Sequence, residues 1–226
     1  MKVLCMYDGL YKNYKEQIAY SEEYARKFTD GPIIVGEYTD LDPEVDFIKN
    51  IYRLEKFGPE PEPTVPVYLE HKDSEVLAVS FSPVSGQMMD VFENLRVIGI
   101  SRTGTENVNI QAATERGILV VHAAGRNANA VSDYAIGLML AESRNIARQH
   151  ALMKKGGLTA IYSNNAILPD LCGKTIGLFG FGYIGRLMAE KLSGFHVNII
   201  AVDPFVSEED MKKWNVTKVD LETLCR

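Results

Sequence analysis

Apolar positions in the first hundred residues alternate between two rhythms. Short apolar runs at 3–7, 33–36, 76–81 and 96–101, each bounded by turn residues, predict strands. Longer segments at 15–28, 43–57 and 85–93 repeat apolar residues at helical spacing. Strands separated by helices need crossover connections, which lead to a parallel sheet covered on both faces. The pattern predicts an α/β unit.

The stretch Gly58-Pro59-Glu60-Pro61-Glu62-Pro63-Thr64-Val65-Pro66 is read as non-helical, because each proline removes a backbone donor and restricts the residue before it. It is expected to be an extended surface connection inside this unit, with a linker between domains as the alternative. Residues 109–117 predict a short helix capped by Asn109 and closed by Gly117. A buried strand is expected at 118–122. From 127 to 155, Val131, Tyr134, Ala135, Leu138 and Ile146 keep helical spacing for several turns, so one long helix is expected. Gly137 and nearby alanines flatten one stripe of it, which suits close packing at a domain or subunit boundary, or equally an ordinary core helix.

Composition narrows the function classes. A net charge of -6 gives no footprint for a polyanion, so nucleic acid is not an expected partner. No stretch approaches the roughly 20 apolar residues of a membrane span, and Met1-Lys2 runs straight into a strand without a signal-peptide pattern, so a cytoplasmic protein is expected. Cys5, Cys172 and Cys225 lack CxxC spacing. They argue against a disulfide framework or a metal site, and are expected to be small buried hydrophobes.

Residues 174–186 carry the strongest chemistry. An apolar run at 176–179 leads into Gly180-x-Gly182-x-x-Gly185. Gly180 permits a tight turn, Gly182 lets a pyrophosphate approach the backbone, and Gly185 lets the following helix pack closely. The helix beginning near Tyr183 and Ile184 would aim its unpaired amides at phosphates. A second strand at 197–202 ends in Asp203, 18 residues beyond Gly185 and followed by Pro204. An acidic side chain there accepts ribose hydroxyls and repels a 2′-phosphate, so NAD is expected over NADP. The plainer reading of Asp203 is a strand-end turn residue.

Segments 95–109, 112–121, 125–131 and 173–185, with Val202-Asp203-Pro204, stand in the order found in the D-isomer-specific 2-hydroxyacid dehydrogenases, a family that the chain resembles from about 76 to 224. The resemblance implies an α/β fold of two Rossmann-like parallel-sheet domains. Residues 1–105 would form a flavodoxin-like substrate-binding domain and 106–226 an incomplete NAD-binding domain. It also implies that the loop Arg102-Thr103-Gly104 offers backbone amides to a substrate carboxylate, with Ser80 and its neighbours across the same cleft. A small 2-hydroxy or 2-keto acid is the implied partner, and a homodimer through the long helix region the implied assembly. Read without the family, Thr103-Gly104 is a strand-to-helix turn. Asn109 stands where the family more often has aspartate, and both residues cap helices.

The resemblance further implies hydride transfer between substrate C2 and the nicotinamide, with an arginine holding the substrate and a glutamate-oriented histidine moving the proton. Those residues lie in the family beyond the 41 positions that follow Gly185 here. No catalytic residue is therefore assigned, and a C-terminally truncated, inactive chain is expected. His122 is the best placed of the four histidines, while His71, His150 and His196 read as surface or turn residues. A binding module that senses NAD without chemistry is the alternative. Methyl transfer from S-adenosylmethionine also uses a glycine-rich loop, but leaves the ordered motifs before residue 173 without a role.

Overall fold

The computed structural model describes residues 1–7, 22–23, 26–27, 29–37, 47–164 and 170–226. The chain divides into two compact units, Met1–Ala124 and Gly125–Arg226.

In the first unit, β1 (Val3–Tyr7), β2 (Ile33–Glu37), β3 (Val76–Val79), β4 (Val97–Ile100) and β5 (Leu119–His122) form a parallel sheet in the order β2-β1-β3-β4-β5. That order is the flavodoxin-like one. Leu4, Leu77 and Ile98 are register partners across β1, β3 and β4, so their side chains share a face. All three are fully buried, with Val84, Met88 and Ala113 in the same core. Each such aliphatic side chain stabilises the unit by about 1.5–3 kcal/mol relative to exposure.

The helices of this unit are α1 (Phe47–Phe57), α2 (Pro66–Glu70), α3 (Gly86–Met89) and α4 (Ile110–Glu115). Asn109 caps α4 by accepting the Ala112 amide at 2.8 Å, and Gly117 takes the left-handed closing conformation at φ 67°. The helix read at 15–28 and the start of the one read at 43–57 lie outside the described residues.

Several expectations need correction. The unit boundary falls at 124/125 rather than 105/106, because α4 and β5 belong to the first sheet: β5 pairs with β4 from Val97↔Leu119 to Ile100↔His122. β5 is not a buried strand. It lies at the sheet edge with Leu119 60% and Val121 52% exposed. The proline-rich stretch is not wholly a surface connection, since Pro59, Glu62 and Val65 are buried, and its last residue, Pro66, opens α2. The first turn of a helix has no use for the missing N–H, so proline fits there. The helix read at 85–93 keeps only Gly86–Met89.

In the second unit, α5 (Ala128–Ser143) and α6 (Ile146–Met153) precede β6 (Thr175–Phe179), α7 (Tyr183–Leu192), β7 (Asn198–Val202), α8 (Glu208–Lys212), β8 (Val216–Lys218) and α9 (Leu221–Leu224). The strands form a parallel sheet in the order β6-β7-β8. The single long helix expected at 127–155 is two helices. Asn145 sits between them in the left-handed region at φ 56°, its side chain donating to Asn164 Oδ1 and accepting from Arg148. Such side-chain bonds compete with the helical ladder and break it.

Lys191 on α7 reaches α5, donating to Ser132 Oγ at 2.7 Å and Asp133 Oδ1 at 2.5 Å. With Met188, Ala189 and Leu192 buried beneath it, α7 is fixed against both the sheet and α5. The helix that follows the glycine-rich turn is thereby fixed in place. Among the described residues no helix is long and apolar enough to cross a membrane. Cys172 and Cys225 are exposed free thiols, contrary to the buried reading, and Cys5 is partly buried.

Candidate functional site

The turn from β6 to α7 is built from three glycines with three different constraints. Gly180 lies at φ 96°, a region side chains avoid, and its amide donates to Val202 O at 2.8 Å. A Cβ on Gly185 would fall 2.6 Å from Gly180 O, so nothing larger fits beneath the turn. Gly182 has an ordinary φ of -76° and no atom within 4 Å of a would-be Cβ. Its bare Cα borders open space at the N-terminus of α7, where unpaired amides and the helix dipole favour an anion. Phe181 between them is fully buried and anchors the turn in the core.

Tyr183 is 68% exposed, and its ring lies over Gly125, where a Cβ would meet Tyr183 Cε1 at 3.1 Å. Ile184 and Pro204 are exposed. These residues surround the open side of the turn.

Asp203 ends β7 beside this turn because Phe179↔Val202 are the last register partners of β6 and β7. Its Oδ2 accepts the Phe181 amide at 2.8 Å, and its Oδ1 accepts the amides of Phe205 at 2.8 Å and Val206 at 3.2 Å. The bond from Phe181, then that from Phe205, holds the carboxyl below the ordinary carboxylate range. Asp203 therefore acts as a strand-end turn residue: it closes its own turn and also ties the glycine-rich loop to β7.

In the first unit, Cys5, Ala78 and Gly99 are lateral neighbours across β1, β3 and β4, on the face opposite the Leu4–Leu77–Ile98 row. Their small size leaves a hollow of about 460 Å³ at the C-terminal ends of the strands, bordered by Ser80, Ser101 and His122. Open parallel sheets bind ligands at this end, near the point where strand order reverses, here between β1 and β3. Burial pushes the Cys5 thiol up, so it is a neutral lining group.

The loop leaving β4 stands next to this hollow. The Arg102 guanidinium lies 3.9 Å from the Phe81 ring centroid and pairs with Glu55 at 3.3 Å and Glu106 at 3.7 Å. Gly104 permits the Glu106 carboxylate to pack against it, since a Cβ would fall 2.3 Å from Oε2. The amides of Thr103 and Gly104 have no hydrogen-bond acceptor among the described residues.

Ser80 and the 102–104 loop thus gather at one end of the first sheet, while Gly180, Gly182, Tyr183, Ile184, Gly185, Asp203 and Pro204 gather at one end of the second. Two features escaped the sequence reading: the row of small residues that makes the hollow, and the contact of His122 Nδ1 with Thr103 O at 2.7 Å. Only the first left a signal, since Cys5, Ala78 and Gly99 each interrupt an otherwise large apolar run.

The glycine-rich turn between parallel strands, with an acidic residue ending the second, defines a dinucleotide-binding α/β protein. Residues 136–226 match the family model described as D-isomer specific 2-hydroxyacid dehydrogenase, NAD binding domain. The second unit is thus similar to the NAD-binding domain of the D-isomer-specific 2-hydroxyacid dehydrogenases, and the cofactor this match points to is NAD.

The chain is 36% identical over 157 residues to D-3-phosphoglycerate dehydrogenase of Methanocaldococcus jannaschii, covering 69% of this chain and 29% of that protein. It is 38% identical over 152 residues to hydroxypyruvate reductase of Thermotoga maritima, covering 66% and 47% respectively. The chain therefore spans less than half the length of these curated relatives. D-lactate dehydrogenase from Aquifex aeolicus, solved with NAD and lactic acid, superimposes with a TM-score of 0.69 at 18% identity, over 98% of this chain and 57% of that one. This last likeness concerns the fold.

Proposed function

We propose that the chain serves an NAD-dependent oxidoreductase acting on the CH–OH group of a D-2-hydroxy acid. The observation that carries this reading is the open approach to Gly182, at the helix N-terminus beside a carboxylate-ended strand. Bound NAD would supply the hydride acceptor for C2 of the acid, or as NADH the donor to a 2-keto acid. Gly180, Gly182 and Gly185 shape the backbone to cradle the pyrophosphate, and the amides of Tyr183 and Ile184 face it. Asp203 and Pro204 flank the adenosine ribose, and the Asp203 charge disfavours a 2′-phosphate.

In the first unit, the free amides of Thr103 and Gly104 receive the acid's carboxylate, Arg102 fixes the loop, and Ser80 lines the adjoining hollow. No acid/base is assigned. The alternative is an NAD-binding module without turnover. A cytoplasmic homodimer is part of the same proposal. Tyr134 at 69% and Leu138 at 53% exposure on α5 provide apolar surface for a second copy.

Trp214, the single tryptophan, lies in the second unit, so NADH binding can be followed by energy transfer from it. Saturable binding of NADH, much weaker for NADPH, is expected. No binding of either coenzyme overturns the proposal. Oxidation of NADH with glyoxylate or hydroxypyruvate separates the enzyme reading from the binding module.

A further inference from the structure

We propose that His122 is a positioning residue that locks the Thr103–Gly104 peptide with the Gly104 N–H aimed at the substrate carboxylate. This rests on the reading of that loop as the carboxylate site.

His122 is the last residue of β5 and the register partner of Ile100 at the end of β4, so its side chain stands beside the loop that leaves β4. Its Nδ1 lies 2.7 Å from Thr103 O. A carbonyl has no proton to give, so Nδ1 is the donor, and the neutral ring is fixed in the Nδ1–H tautomer. The peptide is planar and trans, which sets the Gly104 N–H antiparallel to the Thr103 C=O and away from β5. A flipped peptide would turn N–H towards N–H.

Glycine is where such a flip meets least steric resistance, so position 104 needs a restraint from outside the loop. Ala123 N donates to Arg102 O at 2.9 Å, and Thr103 Oγ1 donates to Ala123 O at 3.2 Å. Both bonds hold the loop to the exit of β5, but neither touches the carbonyl that shares its plane with the Gly104 amide. His122 alone among the described residues does. A hydrogen bond to that carbonyl also polarises the peptide and strengthens its N–H as a donor. The ring is exposed and borders the hollow, so it is not a packed core histidine.

Two measurements test this on the full chain. Long-range proton–nitrogen correlations of the neutral His122 ring should show the Nδ1–H tautomer, and a ring protonated mainly on Nε2 overturns the inference whatever the variants do. Glyoxylate is then titrated into the unaltered chain, His122→Phe and His122→Asn, following the Gly104 amide resonance. Phenylalanine keeps the ring volume without the donor and should weaken binding about 5- to 10-fold, the worth of one such bond. Asparagine, whose amide can replace Nδ1–H, should bind within about 2-fold of the unaltered chain on the same ground. Equal binding by His122→Phe and the unaltered chain overturns the role of His122 and leaves the carboxylate loop standing. No glyoxylate response in the unaltered chain removes the loop reading itself, and the inference with it.

Discussion

The carboxylate of Asp203 accepts the main-chain amide of Phe181 at 2.8 Å, across 22 positions of sequence. The glycine-rich turn is thus fastened to the end of the neighbouring strand by the residue expected to meet the ribose. Replacing Asp203 with alanine should both lower the thermal midpoint of the second unit and weaken NADH binding. Asp203→Asn keeps an acceptor for the amides but loses the charge. It should retain more stability than alanine and narrow the preference for NADH over NADPH, read by parallel titrations.

The same carboxyl makes a pH prediction. Its folded-state pKa is depressed, chiefly by the Phe181 amide and next by the Phe205 amide. Protonation therefore favours the unfolded chain: the contribution is complete above the ordinary aspartate value of about 3.9, and is lost as pH falls through the lower folded value. In acid titrations of stability, Asp203→Asn should show a shallower decline below about pH 4 than the unaltered chain. Parallel curves would contradict the assignment.

Gly182→Ala and Gly185→Ala should separate binding from folding. Open space surrounds the Cα of Gly182, so alanine there should change stability by no more than about 0.5 kcal/mol while obstructing the dinucleotide. At Gly185 the added methyl meets Gly180 O at 2.6 Å, and the loop must shift. A destabilisation of about 1–3 kcal/mol is expected, with loss of NADH binding. Denaturant titration beside NADH titration reads both.

Phe181 contributes its whole side chain to the core of the second unit. Phe181→Ala should cost about 3–5 kcal/mol by chemical denaturation, through lost burial and the cavity left behind. A cost below 1 kcal/mol would mean that the turn is not anchored there.

Arg102 restrains the loop after β4 through Phe81, Glu55 and Glu106. Arg102→Ala should destabilise the first unit by about 1 kcal/mol, and glyoxylate affinity should fall because the loop loses order, not because a charge has left the ligand. The salt dependence of glyoxylate binding should stay unchanged, and a shallower dependence would point to direct contact.

The strand and turn signals were legible where the cause is local. The apolar run into Gly180, the cap at Asn109 and the closing Gly117 each depend on residues close in sequence. Burial of β5 was not legible, because it depends on which strand lies beside Leu119 and what covers Val121. The break at Asn145 was hidden by continuous helical spacing, since it is made by a side-chain bond to Asn164, 19 positions on. Asp203 was legible as the residue that follows the second strand, and its hydrogen-bond partners were not. Its position follows from the strand–helix–strand spacing, whereas its amide partners depend on the path of the turn.

The unequal crowding around Gly182 and Gly185 bears on how a lineage carrying this fold could change. A mutation at 185 pushes against backbone and removes architecture and coenzyme together, so it leaves nothing to inherit. A mutation at 182 meets only solvent, and its descendants would keep an intact scaffold blind to the dinucleotide.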